Sequence, residues 1–220
     1  MGTGGRSGMT TTTIMRTDLL TLTQWLSPAF PLGSFAYSHG LEQVIADGHV
    51  PDAAGLQVWL EETLRFGAGR VDAVLLCQAL GGADVADTAR ALATSRERWE
   101  ETLAQGTAFA QTLGKMGHKV NPAALPVALG EAARGLDLVP ADVAQLYLHA
   151  FTSNLVSVAV RFVPLGQSEG QAVLAALHPV LAEVAEAAAK TDLTQIGSAA
   201  LMSDIAAMRH ETLDVRLFRT

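Results

Sequence analysis

Val143-Ala-Gln-Leu-Tyr-Leu-His-Ala-Phe-Thr-Ser-Asn-Leu-Val-Ser-Val-Ala-Val160 is the stretch on which the fold turns. Pro140 and Asp142 can open a helix there, because a first turn tolerates proline and favours an acidic residue, and Pro164 with Gly166 stops it. Val143, Leu146, Tyr147, Phe151, Leu155, Val156, Val158 and Val160 cover nearly its whole circumference. A helix that is apolar all round belongs inside a protein, so the spacing predicts a central buried helix with others packed around it.

Beyond this helix, Ser168 reads as a cap and residues 171–190 as an alanine-rich helix with a kink at Pro179. Gly197-Ser198 opens into a helix over 199–210, and a polar tail follows. Toward the N-terminus, Pro122 starts a helix running to Gly135. Residues 84–113 place Leu92, Trp99, Leu103 and Phe109 among Arg96, Glu97, Arg98, Glu100 and Glu101, predicting one or two amphipathic helices with a solvated outer face. Gly106 marks a close contact or a kink there. Residues 71–80 read as a further helix, and Asp52 caps another in which Leu56, Trp59, Leu60 and Leu64 share one face. Residues 17–26 permit a short helix, and Leu41, Val44 and Ile45 form a stripe that ends at Gly48 and Pro51. The expectation is an all-α, single-domain bundle of roughly eight to ten helices over 17–210, a disordered extension over 1–16, and a tail over 211–220 that orders on a partner.

Composition agrees. In 220 residues, 49% are hydrophobic but only 5% aromatic, which favours close helix packing over aromatic-rich sheets. A net charge of −7 and a pI near 5.3 argue against a nucleic-acid partner, since neutralising phosphates takes a surplus of Lys and Arg. The single Cys77 reads as a buried structural thiol and suits a reducing cytoplasm. No run of about 18 apolar residues suggests a membrane span, and the early residues lack the pattern of a secretory signal or a myristoylation site, the sixth being Arg6.

Isolated motifs carry little catalytic weight. Ala36-Tyr-Ser-His-Gly40 matches a relaxed nucleophile elbow, so a serine hydrolase using Ser38 is an alternative reading, but the elbow needs a preceding buried strand and none is apparent. The bland reading is that Ser34 or Ser38 caps the next helix. His210-Glu211-Thr-Leu-Asp214 begins like a zincin helix and lacks the second histidine. Gly114-Lys115 is followed by Met116, where a phosphate loop needs Ser or Thr. His39 and His210 are candidates for transient metal contact, whereas His49, His118, His149 and His178 lack pair spacing and read as solvated or packed.

Three separated segments change the picture. Ser27-Pro-Ala-Phe-Pro-Leu-Gly-Ser-Phe-Ala-Tyr-Ser-His-Gly-Leu-Glu42, Val160-Arg-Phe-Val-Pro-Leu-Gly-Gln167, and Gly197-Ser-Ala…Arg209-His-Glu-Thr…Arg216-Leu-Phe-Arg-Thr220 together resemble, in order and spacing, the UreF family of urease accessory proteins. Arg161 stands where many relatives have lysine, and Thr220 closes a tail that often ends in serine. The resemblance implies an all-α homodimer without catalytic activity. It would bind a UreD/UreH-type scaffold and recruit the GTPase UreG for nickel insertion into apo-urease. GTP would belong to UreG; no cofactor would be held tightly, and nickel would touch His39 or His210 only in passing.

The same resemblance assigns partner contact to three groups: Phe30, Pro31, Gly33, Phe35, Tyr37, Ser38, Gly40 and Glu42; Arg161 and Gln167; and Arg209, Glu211, Arg216, Leu217, Phe218 and Arg219. Residue chemistry supports gripping, since a Pro/Gly loop presents Phe30, Phe35 and Tyr37 with little entropy left to lose and aromatic and Arg side chains anchor interfaces. The opposing reading is that these apolar groups cover the protein's own core, leaving a purely structural helical interaction protein.

Overall fold

The structure, a computed structural model, describes residues 7–213 and 216–219. Among these residues there is no strand. The helices are α1 (Ser7–Trp25), α2 (Leu41–Ala46), α3 (Ala53–Phe66), α4 (Ala68–Leu80), α5 (Ala86–Ala91), α6 (Arg96–Lys115), α7 (Leu125–Ala133), α8 (Pro140–Ala159), α9 (Gln167–Ala176), α10 (His178–Ala188) and α11 (Leu201–His210). Single 3-10 turns lie at Ser34–Ala36 and Leu193–Gln195. With α2 and α5 only 6 residues each, nine longer helices among the described residues carry the architecture, within the expected range.

The central helix is where the sequence puts it. Pro140 occupies the first turn of α8, and Val143, Ala144, Leu148, Thr152, Leu155 and Ala159 are fully buried. α8 packs against α2, α3, α4, α9 and α10. One core runs from Leu22 and Trp25 of α1 through α8 to Phe218 in the tail, and a smaller cluster forms around Val71, Leu75, Val85 and Val127. Asp52 caps α3 by accepting the Gly55 N–H at 2.9 Å, which answers one of the donors a helix start leaves unpaired. Leu56, Leu60 and Leu64 of that helix are fully buried, each contributing about 1.5–3 kcal/mol relative to exposure. Cys77 is buried with its thiol 3.8 Å from the Pro140 carbonyl, and burial pushes that thiol up to about 11.

Four boundaries differ from expectation. α1 begins at Ser7, so residues 7–16 continue a helix instead of lacking structure; extending a helix anchored by Leu22 and Trp25 avoids a second nucleation. Residues 1–6 of the expected extension lie outside the described residues. α7 begins at Leu125 with Pro126 in its first turn, because Ala123 and Ala124 are used as a non-helical contact with α6. Leu125 N–H donates to Thr102 Oγ1 at 3.2 Å, and any Cβ on Gly106 would collide with the Ala123 carbonyl, so Gly106 marks the close approach. The alanine-rich segment is not one kinked helix. It breaks at the fully buried Leu177, since Pro179 offers no N–H to the preceding turn, and α9 starts earlier, where Glu169 rather than Ser168 accepts the Gly166 N–H at 2.8 Å. Among the described residues no helix is long and apolar enough to cross a membrane.

Candidate functional site

The 27–42 segment is an irregular loop closed onto the bundle. Asn154 of α8 donates to the carbonyls of Ser34 and Tyr37, at 3.0 and 3.4 Å, pinning the turn to the central helix. His39 and Gly40 follow with successive positive φ values of 54° and 77°. Gly40 has no alternative: a Cβ there would strike the backbone of Ala206 and Ala207, so loop and α11 meet backbone to backbone. Phe30 turns inward against Phe109, 5.8 Å between ring centroids, and Tyr37 is also buried, whereas Phe35 is 65% exposed.

The last residue of α11 completes the site. His210 is fully buried, with Nδ1 2.9 Å from Glu97 Oε2 and Nε2 3.0 Å from Glu42 Oε2. Satisfying both carboxylates takes two N–H donors, which imidazole supplies only when doubly protonated. The carboxylates' remaining capacity goes to the tail. Glu42 accepts the backbone N–H groups of Leu217 and Phe218 at 2.9 and 3.1 Å, and Glu97 Oε1 accepts from Arg216 at 2.5 Å. Arg219 N–H donates to the Ala36 carbonyl at 2.8 Å, laying the tail along the loop. Phe218 is buried beside Phe162, with the Arg161 guanidinium 5.8 Å from its ring centroid. Next to it, Leu217 is 75% exposed. Glu211 receives the N–H groups of Arg96 and Glu97 at 2.9 and 3.3 Å, a carboxylate placed at the positive end of α6.

A second chain of polar contacts continues along α6. His39 Nε2 lies 2.8 Å from Glu101 Oε1, which also accepts from Gln105 at 2.9 Å. Arg98 lies 3.8 Å from the other Glu101 oxygen and 2.5 Å from Asp72 Oδ2, and Tyr147 donates to that same Asp72 oxygen at 2.6 Å. Burial opposes the Arg98 charge, but Asp72 and Glu101 outweigh it and hold the guanidinium above its ordinary range. Burial first, then the Asp72 carboxylate, holds the Tyr147 phenol well up. His39 Nδ1 is buried without a hydrogen-bond partner among the described residues, and the ring rests edge-on against Phe151 at 4.7 Å.

These contacts correct the sequence reading of α6. Glu97 and Glu101 are 5% and 1% exposed, not part of a solvated face, while Arg96 and Glu100 do face solvent. The available clue was the line 97, 101, 105, 109, an i, i+4 series that runs straight into the fully buried Phe109.

The residues expected to meet a partner therefore divide. Phe30, Tyr37, Ser38, Gly40, Glu42 and Phe218 face inward and shape the surface without forming it. Pro31, Phe35, Arg161, Gln167, Arg209, Arg216, Leu217 and Arg219 are exposed; Gly33 and Glu211 are half-buried. Arg209 pairs with Asp47 at 2.8 Å. Asp214 and Thr220 lie outside the described residues. Ser38 is fully buried and its Oγ accepts the Glu42 N–H at 3.4 Å, so it holds the start of α2 and lacks the exposure a nucleophile elbow requires. Among the described residues no group of three or more His, Cys, Asp or Glu is arranged to hold a metal ion, and both ring nitrogens of His210 are occupied by carboxylates.

Fold and site together define an all-helical protein built around a loop–tail platform locked by buried ion pairs. Known proteins show what class this is. The sequence profile of the UreF family matches residues 50–178. A urease accessory protein UreF of Cereibacter sphaeroides (strain KD131) is 59% identical over 94% of this chain and 100% of its own length. Its counterpart in Jannaschia sp. (strain CCS1) is 53% identical over 92% and 94%, and that of Roseobacter denitrificans is 47% identical over 94% and 96%. The chain belongs to the UreF family of urease accessory proteins.

Proposed function

We propose that this chain is a non-catalytic adaptor, working in the cytoplasm as a homodimer, that binds a UreD/UreH-type scaffold and recruits the GTPase UreG so that nickel reaches apo-urease. Family membership supports the reading, and the observation that carries it is the loop–tail seam. Glu42, Glu97 and His210 hold residues 216–219 against the 34–36 turn, leaving Phe35 and Leu217 outside as an apolar rim among Arg161, Arg216 and Arg219. Exposed aromatic and apolar groups flanked by Arg are the residue types that anchor interfaces, and a rim already held in place has less entropy to lose on binding.

Nickel is the cargo of the assembly and GTP the ligand of UreG; this chain holds neither tightly. Should nickel touch it in passing, His39 is the better placed of the two expected contacts, having one ring nitrogen without a partner among the described residues, while His210 must first give up a carboxylate.

Co-purification with a tagged scaffold, followed by light scattering and addition of UreG, tests the reading. The full chain should elute with the scaffold and then take up UreG. Deleting residues 211–220 should abolish this with helicity retained; a normal complex from the truncated chain would refute the tail's role.

A further inference from the structure

The sequence separates His149 from His178 by almost thirty residues, and the fold brings them together. Their imidazole centroids are 5.6 Å apart with the rings inclined at 48°. His149 projects from the middle of α8, next to the fully buried Leu148. His178 opens α10 directly after the fully buried Leu177, and Val180 and Leu181 anchor that turn in the core. Both rings therefore stand on packed helices whose backbones cannot drift apart, which is what a preorganised ligand pair needs. His178 is exposed and His149 half-buried, so an ion can arrive from solvent.

We infer that His149 and His178 form a two-imidazole surface site for a divalent transition-metal ion of the nickel, copper and zinc class. Metal–imidazole bonds of about 2.0–2.1 Å put a ring centroid about 3.2 Å from a shared ion, so two rings on one ion are about 5 Å apart at a tetrahedral angle and about 6.4 Å apart when opposite. The observed separation falls between these limits. Imidazole selects this class of ion; thiolate and carboxylate ligands would shift it toward softer or harder ones, and none joins the pair among the described residues. With water completing the coordination and the positive end of α10 beside it, the site binds reversibly. It is distinct from the seam of His39 and His210 and stands independently of the adaptor role.

The test is calorimetric titration of Ni2+ alone into the full, tag-free chain in a non-chelating buffer, alongside NMR of the histidine ring protons. One ion should bind per chain and broaden the His149 and His178 signals selectively. Losing even an outer-sphere partner of a metal costs about 10–100-fold in affinity, so His178→Ala and His149→Ala should each weaken binding at least about tenfold. His49→Ala, removing an exposed histidine elsewhere, should leave it unchanged. His178 is exposed, so its variant reports on the site even where His149→Ala perturbs packing. No saturable binding by the wild type, or wild-type affinity in His178→Ala, would overturn the inference. Because scaffold and UreG are absent from the titration, failure here leaves the adaptor reading intact, and failure of co-purification leaves this site intact.

Discussion

Phe30 and Phe35 lie in one loop, as Phe218 and Leu217 lie in one tail, yet each pair splits between the inside and the outside of the molecule. Phe30 packs on Phe109 and Phe218 on Phe162, while Phe35 and Leu217 face water. The inner members belong to a seam fastened by Glu42, Glu97 and His210; the outer members are what that seam holds up. The seam buries charge to fix geometry, and the rim leaves apolar groups facing water. Changes on the two sides should therefore have opposite signatures, one in stability and the other in binding.

The largest effect is expected from His210→Ala. It leaves the Glu42 and Glu97 carboxylates facing each other without the imidazole between them, and removing one partner from a buried ionic group costs about 3–5 kcal/mol. Urea unfolding should show the midpoint fall accordingly. Gly40→Ala comes next. The left-handed backbone alone costs a side chain about 1–3 kcal/mol, and the new Cβ also meets the α11 backbone, so the loss should exceed what φ dictates. Phe218→Ala should act locally: amide exchange at 216–219 accelerates while global stability moves by less than about 1 kcal/mol, the outcome expected of a tail that opens separately from the bundle. Phe35→Ala and Leu217→Ala should shift stability by less than about 0.5 kcal/mol, as exposed positions do. A large loss of stability from either would erase the distinction between seam and rim.

Much of the bundle could be read from local rules. Pro140 and the all-round apolar face foretold α8, and Asp52 foretold the start of α3, because caps and burial stripes are written within a few residues of where they act. What could not be read depends on tertiary neighbours. Glu97 and Glu101 look like ordinary helix-surface charges until α11 and the loop bring His210 and His39 over them. His149 and His178 carry no common spacing because their proximity comes from α8 packing on α10. The break at Leu177 was partly legible, since Pro179 forbids a regular helix, but whether the chain kinks or stops is decided by the pocket that buries Leu177. Among candidate site residues, the quoted segments located the loop and the tail, whereas their division into seam and rim required the fold.

On the proposed function, Phe35 and Leu217 are held out for a partner by a seam that does not need them. This is tested most directly by titrating the UreD/UreH-type scaffold against the wild-type chain and the Phe35→Ala/Leu217→Ala double variant, with urea unfolding of both. The double variant should keep the wild-type unfolding midpoint while its affinity weakens at least about thirtyfold, the loss of about 2 kcal/mol that marks a hot spot. Wild-type affinity in the double variant would contradict it.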